Sequence, residues 1–103
     1  MKACIYVPDC VPGSGDVITD VVETVSEKIG GCTSYLANGA WMDGDTLCHE
    51  TTTVVYCLAA PDQEKMARAV FRALARIVLD RLDQKTVMIS FDGVPEFFNR
   101  EEN

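Results

Sequence analysis

The alternation of hydrophobic periodicities along the 103 residues predicts an α+β domain, a four-stranded antiparallel sheet with two helices on one face. Three observations carry that expectation: strand-like alternation at residues 2–7 and 86–91, helical periodicity at 17–29 and 66–82, and a Thr- and Val-rich pair of segments between the two helical stretches. The length leaves room for one hydrophobic core.

Lys2 to Val7 sets Ala3, Ile5 and Val7 on one side and Cys4 and Tyr6 on the other, and Pro8 ends this first strand. Asp9 to Gly15, with Pro12, Gly13, Ser14 and Gly15, is a loop leading to a helix that starts at Ser14 or Asp16. Val17, Ile18, Val21, Val22, Val25 and Ile29 form its apolar stripe, and Gly30-Gly31 stops it. Because the stripe is mostly β-branched, this helix depends on packing rather than intrinsic propensity.

Thr33 to Ala40 and Thr46 to Ala60 are two strands joined through Trp41-Met42-Asp43-Gly44-Asp45, and the Asp43-Gly44 pair marks a hairpin. Pro61-Asp62 opens the second helix, with Met66, Val70, Leu74, Ile77, Val78 and Leu82 as its stripe and Arg68, Arg72, Arg76 and Asp80 on the wet side. Thr86 to Phe91 is a strand with Val87, Ile89 and Phe91 inward; Asp92-Gly93 then turns the chain toward Val94 to Phe98. Two right-handed strand-helix-strand units sharing one sheet give the ferredoxin-like βαββαβ arrangement over residues 1–98, with 99–103 as a flexible tail.

Nine basic against sixteen acidic residues leave a net charge of −7, which opposes binding to nucleic-acid phosphates and to anionic membranes. Apolar runs fall far short of the ~20 residues of a membrane span. Pro8-Asp9 also cuts the Ala3–Val7 run below the ~7–15 apolar residues of an export signal, so a cytoplasmic protein is expected. Cys4, Cys10, Cys32, Cys48 and Cys57 make an odd set without a C-x-x-C pair, which reads as reduced small apolar residues. No metal or cofactor is expected.

A sheet with both helices on one side exposes its other face. With Ala3, Ile5, Val7, Val87, Ile89 and Phe91 inward, Cys4, Tyr6, Thr86, Met88 and Ser90 face outward. His49, Thr51, Thr53, Val55 and Cys57 join them from the long strand, or the neighbouring register if a bulge intervenes. Either set is almost free of charge, which implies a homo-oligomer burying the open face.

His49 and Glu50 are neighbours on a strand and point to opposite faces, so they do not form a dyad. Glu50 shares a face with Val54, Tyr56 and Leu58, where an ionised carboxylate is costly unless Trp41 Nε1 or backbone N–H groups satisfy it. Pro12-Gly13-Ser14-Gly15 before a helix has the form of an anion-binding turn, but it lacks Lys and meets Asp16, so turn-plus-cap is the simpler assignment. Cys10 has no histidine near it in sequence.

Gly30-Gly31-Cys32-Thr33, Gly39-Ala40-Trp41-Met42-Asp43 and the downstream Glu50 resemble a Gly-Gly-x-Thr, Gly-x-Trp, Glu pattern of small ferredoxin-like bacterial and phage-encoded domains of unknown function. The overall plan is more distantly similar to PII-like and CutA-like oligomers, which associate through their sheets and bind nucleotides or metals between subunits.

The leading expectation is a non-catalytic oligomeric module that binds a small metabolite or nucleotide-like molecule, as a sensor or a phage-type sequestering protein. Trp41, Glu50, Tyr6, His49 and Thr33 are its candidate ligand-binding residues: a ring to stack, a carboxylate to accept, and polar groups on the same hairpin and sheet. One alternative is an acidic adaptor or inhibitor that engages a basic protein. Another is a small enzyme using His49 or Cys10.

Overall fold

The strand Lys2–Pro8 (β1) lies in the middle of the sheet because both of its faces are apolar: Ala3, Ile5 and Val7 are buried on one and Cys4 on the other. The computed structural model describes residues 1–100. After β1 come α1 (Ser14–Ile29), β2 (Thr33–Asp43), β3 (Thr46–Leu58), a 3₁₀ turn at Pro61–Gln63, α2 (Glu64–Arg81), β4 (Thr86–Phe91) and β5 (Val94–Asn99). The strands form one sheet in the order β2-β3-β1-β4-β5, every neighbouring pair antiparallel. Both helices lie on one face, where a single core joins Val17, Val21 and Val25 of α1 and Phe71, Leu74 and Val78 of α2 to Ile5, Val55 and Ile89 of the sheet.

The sheet has five strands, not the expected four. Asp92 (φ 50°) and Gly93 (φ 81°) both take left-handed backbone, the conformation of a tight two-residue hairpin, and this folds Val94–Asn99 back along the whole of β4. The turn is also tied to the first strand: Lys2 N–H donates to Asp92 Oδ1 at 2.7 Å, and Asp92 N–H donates to the Lys2 carbonyl at 2.8 Å. Asn99 and Arg100, expected in the tail, are fixed. Thr86 Oγ1 donates to Asn99 Oδ1 at 2.8 Å, and Arg100 pairs with Asp83 while its N–H donates to the Lys85 carbonyl. The remaining tail residues, 101–103, lie outside the described residues.

Gly30, at φ 115°, closes α1 with its N–H on the Ser26 carbonyl at 2.9 Å. The stripe of α2 differs from the expected one. Met66 and Ile77 are 51% and 43% exposed, while Ala67, Phe71, Ala75 and Leu79 are buried with Leu74 and Val78. Two alanines let the helix approach the sheet closely, and the Phe71 ring fills the space between them, edge-on to Phe91 at 6.4 Å. A stripe counted from large residues alone overlooks alanines.

The register of β3 is the reverse of the first set expected outward. Ala3 pairs with Cys57, Ile5 with Val55 and Val7 with Thr53, so the odd-numbered residues of β3 face the helices and Glu50, Thr52, Val54 and Tyr56 face the open side. On that open face β1 contributes Lys2, Cys4 and Tyr6, β2 contributes Tyr35 and Trp41, and β4 contributes Thr86, Met88 and Ser90. Among the described residues its charged side chains are Lys2, whose Nζ lies 4.5 Å from the Tyr56 ring centre, Asp43 at the hairpin tip, and Glu50. Among the same residues no helix is long and apolar enough to cross a membrane.

Candidate functional site

The site grows from one mismatch of length. The β2–β3 hairpin pairs from Thr33 with Tyr56 to Asp43 with Thr46, whereas β1 pairs with β3 only as far as Thr52, opposite Pro8. Beyond that point the hairpin continues without a third strand. Gly44, at φ 61°, permits the two-residue turn Gly44-Asp45 that closes it, so Trp41 and Met42 belong to the strand and not to the connection.

Where β1 stops, a hollow of about 490 Å³ opens, lined by Trp41, Glu50, Asp83, Gln84, Lys85 and Thr86. Trp41 and Glu50 come from the open face of the hairpin; residues 83–85 come from the connection between α2 and β4, and Thr86 from the start of β4. Trp41 pairs with Cys48 and Glu50 with Gly39, so the two side chains are one pair out of step on the same face. Among the described residues no hydrogen bond joins the indole to the carboxylate, so the Trp41 Nε1 partner that the sequence offers Glu50 is not used. Trp41 is 48% exposed and Glu50 half-buried.

Burial holds the Glu50 carboxyl above the usual carboxylate range, and the nearby Asp9 charge adds to the shift. The hollow therefore combines a broad π-face, a carboxylate that gains from a cationic partner, and Lys85 in its opposite wall. That set can stack a heterocycle while meeting Lys85 and Glu50; the second carboxylate of the lining, Asp83, is paired with Arg100. Sequence reasoning missed the contribution of residues 83–86, because nothing in their spacing shows that they meet the hairpin across the end of β1.

Of the other candidates, His49 lies in a shallower hollow of about 270 Å³ with Cys10, Asn38, Glu50 and Thr51. The structure thus brings together His49 and Cys10, far apart in sequence. Cys10 Sγ instead donates to the adjacent Asp9 carboxylate at 3.4 Å. Thr33 lies in a separate groove of about 400 Å³ between Ile29–Cys32 and Tyr56–Leu58. Tyr6 is on the open face opposite Val54, near the sheet centre and away from that groove. The turn before α1 is satisfied locally, since the buried Ser14 hydroxyl donates to the Val11 carbonyl at 2.8 Å and accepts from the Val11 N–H. All five cysteines are free thiols, and burial with Cys32 and Cys4 nearby raises that of Cys57. Among the described residues no three His, Cys, Asp or Glu side chains form a metal-binding group.

No family model matches the chain, and no curated protein matches it. Two solved structures do share its fold. One is a phage SAM lyase in complex with S-methyl-5′-thioadenosine, with a TM-score of 0.69 and 15% identity over 96% of this chain and 88% of that one. The other is a phage SAM lyase in the apo state, with a TM-score of 0.68 and 15% identity over 99% and 90% of the two chains. At that identity the likeness is one of fold. It shows an architecture shared with a phage protein, and it is silent on the Gly-Gly-x-Thr hairpin pattern and on PII-like or CutA-like kinship.

Proposed function

We propose that this chain is a phage-type module binding a small adenosine-bearing sulfur compound, a thioether or a sulfonium, in the hollow formed by Trp41, Glu50 and Lys85. The observation that supports it is the composition of that hollow, on a fold shared with a protein bound to S-methyl-5′-thioadenosine. The Trp41 ring offers a stacking surface for adenine, Glu50 a counter-charge for a sulfonium, and Lys85 a partner for a carboxylate at the ligand's far end.

Binding without turnover is the primary function proposed. A second, lyase activity on the same class of ligand, is favoured by one observation: a carboxyl held above its usual range beside the ligand space is suited to accept a proton. Calorimetric titration with S-methyl-5′-thioadenosine and with S-adenosylmethionine, followed by chromatography of the mixtures, tests both. Saturable binding with unchanged ligand supports the binding role, whereas accumulation of S-methyl-5′-thioadenosine from S-adenosylmethionine supports the lyase. Absence of binding by either compound overturns the proposal.

A further inference from the structure

The two edges of the sheet are built differently. β5 is six residues long and carries Pro95, without an N–H, and Glu96. β2 is eleven residues long, holds no proline, and has no charged residue from Thr33 to Met42. Edge strands of soluble proteins are ordinarily blunted by proline, lysine or shortness. β2 has none of these. It also carries Tyr35, Leu36, Trp41 and Met42, which are 48%, 69%, 48% and 61% exposed and are divided between its two faces. An occupant of one face alone leaves the other pair in water; a strand laid along the edge covers both.

Hydrogen-bond phase fixes which groups are available. Across a two-residue turn the flanking pair, here Asp43 and Thr46, exchanges both bonds, and the pattern alternates from there. The backbone groups of Ser34, Leu36, Asn38, Ala40 and Met42 therefore point away from β3.

We propose that β2 pairs with β2 of a second copy of this chain, antiparallel about Asn38, to continue the sheet across a twofold axis. This register engages every outward backbone group from Ser34 to Met42. It sets Tyr35 opposite the partner's Trp41, Leu36 opposite the partner's Ala40 with the partner's Met42 diagonal to it, and Asn38 opposite the partner's Asn38. Tyr35 and Trp41 fall at non-hydrogen-bonded positions, where side chains approach most closely. Charge favours the same register. Two chains of net charge −7 meet along a neutral run, and the carboxylates of each tip, Asp43 and Asp45, lie at the end where the partner's strand begins, away from the partner's tip. The pairing goes beyond the ligand proposal and stands without it, although it brings the partner's Tyr35 beside Trp41 at the rim of the hollow.

Sedimentation velocity and thiol cross-linking test it in a Cys10→Ser background. The parent chain sediments as a dimer. Asn38→Cys forms an intermolecular disulfide on mild oxidation, because a hydrogen-bonded pair sets the two Cα atoms at about 5.5 Å. Tyr35→Cys, which faces the partner's Trp41, does not. Leu36→Pro deletes one outward N–H, which an edge strand tolerates, and raises the dissociation constant about tenfold or more with circular dichroism unchanged. A monomeric parent, a dimer indifferent to Leu36→Pro, or fibres built from unlike edges would each overturn the pairing. Should Leu36→Pro disrupt folding, the two cysteine variants decide alone. Titration of the Leu36→Pro monomer with S-methyl-5′-thioadenosine separates the two proposals, since ligand binding that survives there leaves the first standing whatever becomes of the second.

Discussion

The helix α2 and the β2–β3 hairpin treat apolar side chains in opposite ways. Along α2, Ala67, Phe71, Leu74, Ala75 and Val78 are buried at helical spacing, and the charged residues lie outside them. Arg72 forks onto Glu96 at 2.9 and 2.8 Å while its guanidinium lies 5.5 Å from the Phe91 ring centre. Along the hairpin, Leu36, Trp41, Met42 and Leu47 are exposed although they are as apolar as the buried set. The first arrangement maximises burial within one chain, and the second leaves surface for something else. The residues that hold this fold are therefore not those whose large apolar side chains stand exposed on the hairpin.

The largest effect separating the two regions is expected at Phe71. Phe71→Ala removes a fully buried ring and costs about 3–5 kcal/mol in urea unfolding, whereas Leu36→Ala stays within about 0.5 kcal/mol. A comparable loss at both positions would erase the distinction. Next comes Trp41→Ala, which leaves the unfolding midpoint of the free chain nearly unchanged. It removes the stabilisation by S-methyl-5′-thioadenosine, about 2.7 kcal/mol for the parent chain at a hundred times the dissociation constant. Retained stabilisation in that variant would move the ligand elsewhere.

The smallest effects come from two carboxylates with opposite signs, Glu96 of β5, which pairs with Arg72 of α2, and Glu50 of the hairpin. Glu96 is held below the ordinary value of 4.5 by its hydrogen bonds from Arg72, so it binds its proton less tightly folded than unfolded. Its stabilisation is present above that range and is lost as the pH falls through the lowered value; Glu96→Gln flattens the acid side of the stability profile. Glu50 is held above 4.5 by burial, so the folded chain binds that proton more tightly and stability declines as the pH rises from 4.5 through the raised value. Glu50→Gln removes that decline, and urea midpoints across the acid range distinguish the two.

Much of the fold was legible because periodicity is a local property. Ala3, Ile5 and Val7, the α1 valines, and Val87, Ile89 and Phe91 all lie where their spacing put them. The misreadings share a physical origin. The Asp92-Gly93 turn was legible, but the segment after it carries Pro95 and does not read as a paired strand; the α2 stripe was hidden by alanines; and the β3 face depended on its register with β1, which no property of β3 alone reveals. The site was half legible. Trp41 and Glu50 stand out by residue type, but Lys85 joins them only because β1 ends at Pro8, a matter of relative strand lengths.

The central position of β1 also bears on biosynthesis. Of the five strands β1 precedes both of its neighbours, which must find it later, β3 after some forty residues and β4 after some eighty. A ribosome adding about 5–20 residues per second thus exposes an apolar ribbon with two unpaired borders for several seconds before the second border closes. Contacts that span so much of the chain also slow refolding relative to helical proteins of equal size. A nascent chain of this design gains from a chaperone during exactly the interval in which its middle exists and its flanks do not.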